Sequence, residues 1–250
     1  IKSEREIELM AEAGKILERV HNELEKALRP GMSTKDIDTL GEEIIRSYGC
    51  IPSFLNYNGY PASICVSVNQ EVVHGIPDKH RIIQEGDIVS LDAGVIYKGY
   101  HSDAARTHAV GEVSEEAKKL IQVTKESFFE GIKFAKAGNH LFDISGAIGR
   151  YAEERGYGVV RDLCGHGIGT ALHEAPEIPN YEVGRKGVRL RPGMTLAIEP
   201  MINIGTHEVD WLDDDWTVVT RDGSLSAHYE NTILITEGEP RILSLTCENE

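Results

Sequence analysis

Four acidic residues stand inside strand-like stretches of the sequence, where carboxylates are uncommon. They are Asp92, Asp103, Glu199 and Glu230. Because side chains alternate along a strand, each of these acids shares one face of its strand with small or polar neighbours. A buried carboxylate without a partner costs several kcal/mol or takes up a proton. Four acids that face one space therefore need cations.

The cations could be arginine side chains or metal ions. Arg106 is close enough in sequence to pair with one of the acids. A single acid of this kind is more often a solvated carboxylate at the edge of a sheet. We favour metal because two divalent ions neutralise four recurring carboxylates more compactly than four separate arginines would.

Histidine could complete such a site. His166 stands in a glycine-rich stretch, Gly165–Gly169, where glycines allow close approach of the backbone. His74 and His173 each begin a His-x-x-Pro sequence, one in each half of the chain. A lone histidine is usually structural or exposed, and the other seven give no reason to depart from that interpretation. They are His21, His80, His101, His108, His140, His207 and His228.

Four carboxylates and one imidazole, without a thiolate, suit pairs of Mn, Fe(II), Co or Zn ions. Mg is a further alternative. A pair of such ions bridged by carboxylates activates water and stabilises an oxyanion, which is the chemistry of hydrolysis. The residues alone thus predict a hydrolytic site with two divalent metal ions, and they do not name its substrate.

The hydrophobic pattern predicts the elements that position these residues. Helices are expected at 4–28, where Ser3 and Glu6 form a capping box, and at 34–48, 114–135 and 141–155. Strands are expected at 63–68, 87–97, 100–110, 194–198, 216–220 and 232–236.

The order of helix, helix and strands occurs twice, which indicates an internal repeat. An offset of 107 positions relates Gly31 to Gly138 and Asp92 to Glu199. No linker rich in proline, glycine or serine separates the halves. We therefore predict one domain over 1–250, built from halves at about 4–110 and 114–240.

Composition narrows the classes of function. The formal net charge of −15 argues against general binding of nucleic acid. No apolar run approaches the length of a membrane span, and the charged N-terminus lacks a signal-peptide pattern, so we expect a cytoplasmic protein. The cysteines fit neither a zinc finger nor a disulfide framework and are expected to be free thiols. They are Cys50, Cys65, Cys164 and Cys247.

Four motifs together resemble type I methionine aminopeptidases, in order and through essentially the whole chain. They are Val72–Pro77, Glu85–Asp92, Gly165–Gly169 and Gly193–Pro200. The resemblance implies an α+β "pita-bread" fold, with two pseudo-symmetric αβ halves around a curved antiparallel sheet. It also implies removal of the N-terminal methionine from nascent polypeptides and peptides, with a small second residue favoured.

The resemblance implies roles for the site residues as well. The metal ligands would be Asp92, Asp103, His166, Glu199 and Glu230, with Asp103 and Glu230 bridging the ions. We assign Glu199 as the proton acceptor, and the resemblance places His74 and His173 at the scissile bond. The methionine pocket would include Tyr57, Tyr60, Cys65 and Trp216, with Phe54 and Leu172 at positions that vary in the family. Core packing is the alternative interpretation of these pocket residues.

One departure concerns Gly94, where some bacterial relatives carry a hydroxyl residue, so a hydroxyl contact at that point is in doubt. The chain has no N-terminal zinc-binding extension, and the 26 positions from His173 to Glu199 leave no room for the type II insertion. Rival interpretations are a proline dipeptidase, a metal-free creatinase-type enzyme and a non-catalytic binding protein.

The resemblance implies a monomer that acts on nascent chains, with transient contact with the ribosome. A local basic cluster would be needed for that contact. The candidate is Arg185, Lys186, Arg189 and Arg191, and a solvated loop is the alternative.

Overall fold

A computed structural model describes residues 1–246, so the predicted free thiol of Cys247 lies outside the described residues. Four α-helices form in this range: α1 (Glu4–Ala27), α2 (Thr34–Ser47), α3 (Glu115–Ile132) and α4 (Leu141–Glu153). The strands are β1 (Ile51–Pro52), β2 (Ile64–Val68), β3 (Glu71–Val73), β4 (Ile88–Tyr97), β5 (Tyr100–Ala109), β6 (Gly158–Val159), β7 (Gly165–Gly167), β8 (Glu174–Ile178), β9 (Thr195–Ile198), β10 (Met201–Asn203), β11 (Val209–Trp211), β12 (Val218–Thr220), β13 (Ser226–His228), β14 (Glu230–Leu234) and β15 (Arg241–Ile242). A short 3₁₀ turn covers Tyr57–Gly59.

The four helices begin within one residue of their predicted starts because their first turns carry the expected caps. Ser3 and Glu6 form a capping box at α1, and Ser33 does the same with Asp36 at α2. Ser114 accepts a hydrogen bond from a backbone N–H in the first turn of α3. These contacts satisfy backbone donors that have no partner inside the helix.

The main sheet is antiparallel and runs in the order β1-β4-β5-β14-β9-β7-β8, with β2 also paired to β4 and β15 to β14. Strands from the first half occupy one side and strands from the second half the other. The halves meet where β5 pairs with β14, at Glu230 opposite Ala105 and Asn231 opposite Ala104. Two three-stranded sheets, β13-β10-β6 and β11-β12-β3, complete the described strands.

The offset of 107 positions recurs in the contacts of the backbone. Ser33 forms an isolated bridge with Ile82, and His140 forms one with Arg189. The N–H groups of Gly86 and Gly193, also 107 positions apart, donate to the carbonyls of Val110 and Ile235, although these acceptors are 125 positions apart. These paired contacts support the internal repeat, while the single domain over 1–250 stays a prediction.

The helices cover one face of the main sheet and form a separate apolar core in each half. α1 and α2 contribute Leu17, Val20 and Ile45 to a core with the strands of the first half. α3 and α4 contribute Phe128 and Ile144 to a core with those of the second half. No helix among residues 1–246 combines the length and apolar composition needed to cross a membrane.

The strand predictions were right for the longer strands and wrong in detail elsewhere. β12 begins at Val218 rather than at position 216, and β14 begins at Glu230 rather than at position 232. The strands that were not predicted are two to five residues long. Runs this short are too brief for alternation to be distinguished from a loop.

Candidate metal centre

One cavity of about 310 Å³ opens beside the centre of the main sheet. Every residue that the sequence placed at a metal or substrate site lines it: Tyr57, Tyr60, Cys65, His74, Asp92, Asp103, His166, His173, Glu199, Trp216 and Glu230. Phe54 and Leu172 line it too. The predicted residues, which span more than half of the chain, thus meet in one place.

Neighbouring strands bring the acids together. Asp92 lies in the middle of β4, Asp103 lies in β5, Glu230 begins β14, and Glu199 directly follows β9. These four strands are adjacent in the sheet. Since side chains on one face of adjacent strands are neighbours, the four carboxylates face a common space.

His166 lies in the centre of β7, next to β9. Its Nε2 atom is 3.7 Å from Oδ2 of Asp103 and 3.5 Å from Oε1 of Glu199. Its Nδ1 atom is 2.8 Å from the carbonyl oxygen of Gly167. An Nδ1–H that donates to this carbonyl leaves Nε2 to face the carboxylates, which is the usual arrangement of a metal-ligating histidine.

The glycines beside His166 have a steric reason. A Cβ atom on Gly165 would lie 2.3 Å from the carbonyl oxygen of Ala197, and one on Gly167 would lie 2.3 Å from that of Ala175. Any larger residue would push β7 away from β8 or β9. The glycine-rich motif therefore serves close strand packing, which holds the imidazole against the carboxylates.

The donor set fits metal ions. Oδ1 of Asp92, Oδ1 of Asp103 and Oε1 of Glu230 are buried and have no hydrogen-bond partner among the described residues. Asp103, His166 and Glu230 each offer a ligand atom within 4.8 Å of the others. Buried carboxylate oxygens without donors require a cation, and oxygen with imidazole suits a divalent transition metal.

The electrostatics of the cluster give the same result. Burial, reinforced by the charges of Asp103 and Glu199, raises the pKa of Asp92 well above its usual range. Burial and the same two charges also raise the pKa of Glu230. Burial lowers the pKa of His166, but its contacts with Asp103 and Glu199 outweigh that effect and raise it. Without metal the cluster therefore retains protons, and ions that bind there must displace them.

Arg106 does not pair with any of the acids through its side chain. Its guanidinium group donates to the backbone carbonyls of Ala105 and Glu230 and to the side chain of Asn231. It also lies over the ring of Tyr229, 4.7 Å from the ring centroid. The sequence left open that Arg106 neutralises an acid directly. In the structure its guanidinium group instead hydrogen-bonds to residues of both β5 and β14 and so connects the two strands.

His173 is held by an aromatic residue from the other half of the chain. Its Nδ1 atom is 2.7 Å from the hydroxyl oxygen of Tyr57, and its ring centroid is 4.2 Å from that of His166. Burial and the positive charge of His166 lower the pKa of His173, so the imidazole is neutral near pH 7. The sequence assigned Tyr57 to the pocket wall and gave no sign of this contact.

His74 and Trp216 form another part of the wall. His74 adopts a left-handed backbone conformation with φ of 59°, which is uncommon for a residue with a side chain. Its ring lies 6.2 Å from that of Trp216, and Tyr60 lies 5.1 Å from Trp216 on the other side. Burial lowers the pKa of His74 to about 4, so this imidazole is also neutral.

The space beside Gly94 is occupied by Ser53. A Cβ atom on Gly94 would lie 2.8 Å from Cβ of Ser53 and 3.0 Å from the ring of Phe54. The Ser53 hydroxyl lies 2.9 Å from Nδ1 of His101. A hydroxyl residue at position 94 has no room here, which gives a steric reason for the glycine at this departure from the family pattern.

His228 is the residue of this region that the sequence did not identify. It is buried, and its Nε2 atom lies 3.3 Å from Oε2 of Glu199. The sequence offered one signal, since His228 stands two positions before Glu230 and so shares its strand face. The spacing of two was dismissed because a lone histidine is usually structural.

Comparison with known proteins identifies close relatives. The profile of metallopeptidase family M24 matches residues 8–237. The methionine aminopeptidase of Clostridium acetobutylicum is 58% identical over 248 residues, which cover 99% of this chain and 99% of that protein. Methionine aminopeptidase 1 of Bacillus subtilis is 52% identical over 236 residues, 94% of this chain and 95% of that protein.

Solved structures give a matching result. The crystal structure of a methionine aminopeptidase from Thermotoga maritima has a TM-score of 0.95 and 48% identity, and 98% of both chains is covered. The Xaa-Pro dipeptidase from Bacillus anthracis has a TM-score of 0.78 and 28% identity. That match covers 98% of this chain but only 61% of the dipeptidase.

Proposed function

The chain belongs to metallopeptidase family M24 and, within it, to the methionine aminopeptidases, and we propose that it holds two divalent metal ions. The ligands in this proposal are Asp92, Asp103, His166, Glu199 and Glu230. The observation that carries it is the set of buried carboxylate oxygens without donors around His166. Mn, Fe(II), Co and Zn all suit these atoms.

The protein is a metal-dependent aminopeptidase with the pita-bread fold, and it removes N-terminal methionine. Its similarity to methionine aminopeptidases, at up to 58% identity, far exceeds its 28% identity to the dipeptidase. The rival interpretation of a proline dipeptidase is therefore set aside. The metal-free and non-catalytic alternatives conflict with the buried oxygens of Asp92, Asp103 and Glu230 that have no hydrogen-bond partner among the described residues.

Bound divalent ions lower the pKa of a water molecule and polarise the scissile carbonyl. In our proposal, Glu199 accepts the proton of that water and later delivers a proton to the leaving amine. Glu199 suits this task because its carboxylate lines the cavity beside His166. Asp92 attracts the free α-amino group of the substrate, which restricts cleavage to the first residue.

His173 stabilises the oxyanion that forms at the substrate carbonyl. The contact with Tyr57 occupies Nδ1, so a neutral ring with its proton on Nε2 directs that N–H into the cavity. A donor positioned before the reaction stabilises developing negative charge without reorganisation. His74, across the cavity, is proposed to contact the substrate beyond the scissile bond.

The apolar part of the cavity is proposed as the methionine pocket. Its wall combines Tyr60, Cys65 and Trp216 with Phe54 and Leu172. These side chains form one apolar cluster, so an unbranched thioether would bury its surface without leaving a polar atom unpaired. We further propose that a small second residue is favoured, because the rings of His74 and Trp216, with centroids 6.2 Å apart, narrow this part of the cavity.

The N-termini of nascent chains are the expected substrates, which places the activity in the cytoplasm in this proposal. Transient contact with the ribosome and a monomeric state stay predictions. Lys186 and Arg189 of the basic cluster are exposed, while the guanidinium of Arg185 lies over the ring of Phe142. A solvated loop remains the alternative interpretation of this cluster.

The test is cleavage of the peptide Met-Ala-Ser by the protein reconstituted without oxygen with Mn²⁺. Glu199→Gln is expected to abolish turnover with little change in fold, because the amide cannot accept the proton. Glu177→Gln is the matched control, since Glu177 lies opposite His166 on β8 with an exposed side chain. Near-wild-type turnover by the Glu199→Gln protein would reject the assigned role, and failure of the wild type would reject the function.

A further inference from the structure

A histidine outside the ligand set lies directly behind Glu199. His228 ends β13, pairs with Met201 of β10, and is 1% exposed. Its Nε2 atom is 3.3 Å from Oε2 of Glu199 and 3.9 Å from Oε2 of Glu230. Because Nε2 has no hydrogen-bond partner among the described residues, a buried polar atom is directed at two carboxylates.

The backbone of His228 is fixed on both sides. Its N–H donates to the hydroxyl oxygen of Thr107 at 2.9 Å, and the same hydroxyl donates to the His228 carbonyl at 2.9 Å. The Ser90 hydroxyl lies 2.9 Å from that of Thr107. A chain of contacts from β4 through β5 thus fixes the backbone that carries this imidazole before any ligand binds. This is the arrangement expected of a group that orients another side chain.

The two oxygens of Glu199 face different histidines. Oε1 is 3.5 Å from Nε2 of His166, and Oε2 is 3.3 Å from Nε2 of His228. Among the residues that the structure describes, those lining the cavity include Glu199 and Glu230 but not His228. His166 lines the cavity as well, so Oε1 faces a histidine of the cavity wall and Oε2 faces a histidine outside it.

We propose that His228 is a positioning residue for Glu199, which it orients by donating Nε2–H to Oε2. The separation of 3.3 Å between Nε2 and Oε2 is slightly longer than an optimal N–H···O bond, so a shift of a few tenths of an ångström in the carboxylate completes it. This inference rests on the role proposed for Glu199. Carboxylates that ligate metal are commonly held by such outer partners.

Direct ligation of an ion by His228 is the main competitor. Glu199, His228 and Glu230 do offer ligand atoms within 4.8 Å of one another. An ion held by all three would take one ligand, His228, from outside the cavity wall. The position of His228 relative to the cavity thus favours orientation of the carboxylate over ligation.

Three substitutions distinguish the roles. His228→Leu removes the donor while keeping apolar volume. His228→Asn is polar but too short, since its amide nitrogen reaches only the position of Nδ1. His228→Gln places an amide N–H near the position of Nε2 and is the conservative rescue. Circular dichroism and the melting temperature of each metal-free protein report folding, and the comparison needs His228→Gln and one of the other two variants to be folded.

Each variant is titrated with Mn²⁺ by calorimetry without oxygen and assayed on Met-Ala-Ser. Loss of an outer partner typically weakens metal affinity or activity by about 10- to 100-fold, and we expect this in His228→Leu and His228→Asn, mainly in kcat. His228→Gln is expected to recover most of the affinity and of kcat. Leu or Asn variants with wild-type affinity and kcat would overturn the proposal.

A Gln variant that binds Mn²⁺ as weakly as the Leu variant would also overturn the proposal, in favour of direct ligation. The wild-type assay separates this inference from the proposed function. If the wild type does not cleave the peptide, the proposed function falls, while the calorimetric series still decides whether His228 supports the metal ligands.

Discussion

Replacement of Tyr57 by phenylalanine separates two roles for this residue. As a wall of the methionine pocket, Tyr57 would contribute equally to binding of substrate and transition state. As the partner of His173, it would hold the ring with Nε2–H directed at the oxyanion, because its hydroxyl lies 2.7 Å from Nδ1. This second role would stabilise mainly the transition state. The short distance between the Tyr57 hydroxyl and His173 favours it.

The expected size follows from one neutral hydrogen bond. Such a bond contributes about 0.5–1.5 kcal/mol net, which corresponds to about a 2- to 13-fold loss of kcat at about 1.4 kcal/mol per tenfold. The phenyl ring fills the same space, so KM should change little. The assay is steady-state cleavage of Met-Ala-Ser by wild-type and Tyr57→Phe proteins reconstituted with Mn²⁺.

The matched control is Tyr60→Phe, which removes a hydroxyl from the same wall. That hydroxyl donates to the carbonyls of Ile64 and Gly75, at 3.1 Å each, and not to His173. We expect a lower melting temperature with kcat almost unchanged. If Tyr57→Phe raises KM and leaves kcat at the wild-type value, the contact with His173 has no part in catalysis, because uniform binding alone was lost.

Three further predictions concern stability. His21 is buried, and burial holds its pKa well below the ordinary value, so the unfolded chain takes up the proton first as the pH falls. The unfolding free energy should therefore fall by up to about 1.4 kcal/mol per pH unit below pH ~6.5. Urea titrations at several pH values should show a shallower fall for His21→Gln. Lys2→Met breaks a half-buried 2.8 Å ion pair with Glu174 and should lower the unfolding free energy by about 0.5–1 kcal/mol. The control Arg5→Met removes an exposed ion pair and should change the unfolding free energy less. Equal effects of the two substitutions would show that burial does not strengthen the pair. Gly94→Ala should destabilise by about 1–3 kcal/mol through overpacking, and an unchanged urea midpoint would show that the neighbouring serine yields.

The four site acids, the helices and the longer strands could be predicted from the sequence because each produces a local sequence pattern. Asp92 interrupts an alternating apolar run, and an acid in that setting is informative by itself. The four helices carry caps and a 3.6-residue pattern. These signals extend over adjacent residues and need no knowledge of the fold.

The supporting contacts were not accessible because they join distant parts of the chain. Tyr57 and His173 are 116 positions apart, and Arg106 meets the carbonyl of Glu230 across 124 positions. His228 was discounted on the frequency of structural histidines, and only its distance to Glu199 changes that judgement. The sequence pattern predicts the residues that bind metal or substrate better than it predicts the residues that position them.

The junction of β5 and β14 has a consequence for the order of events during synthesis. Glu230 stands 138 positions after Asp92, so at about 5–20 residues per second the ribosome needs about 7–30 s to supply the last proposed ligand after the first. The apolar core of the first half contains no residue of β14, so this core can form around Asp92 and Asp103 before Glu230 is present. The metal site that we propose is therefore incomplete in each new copy of the chain until Glu230 has emerged.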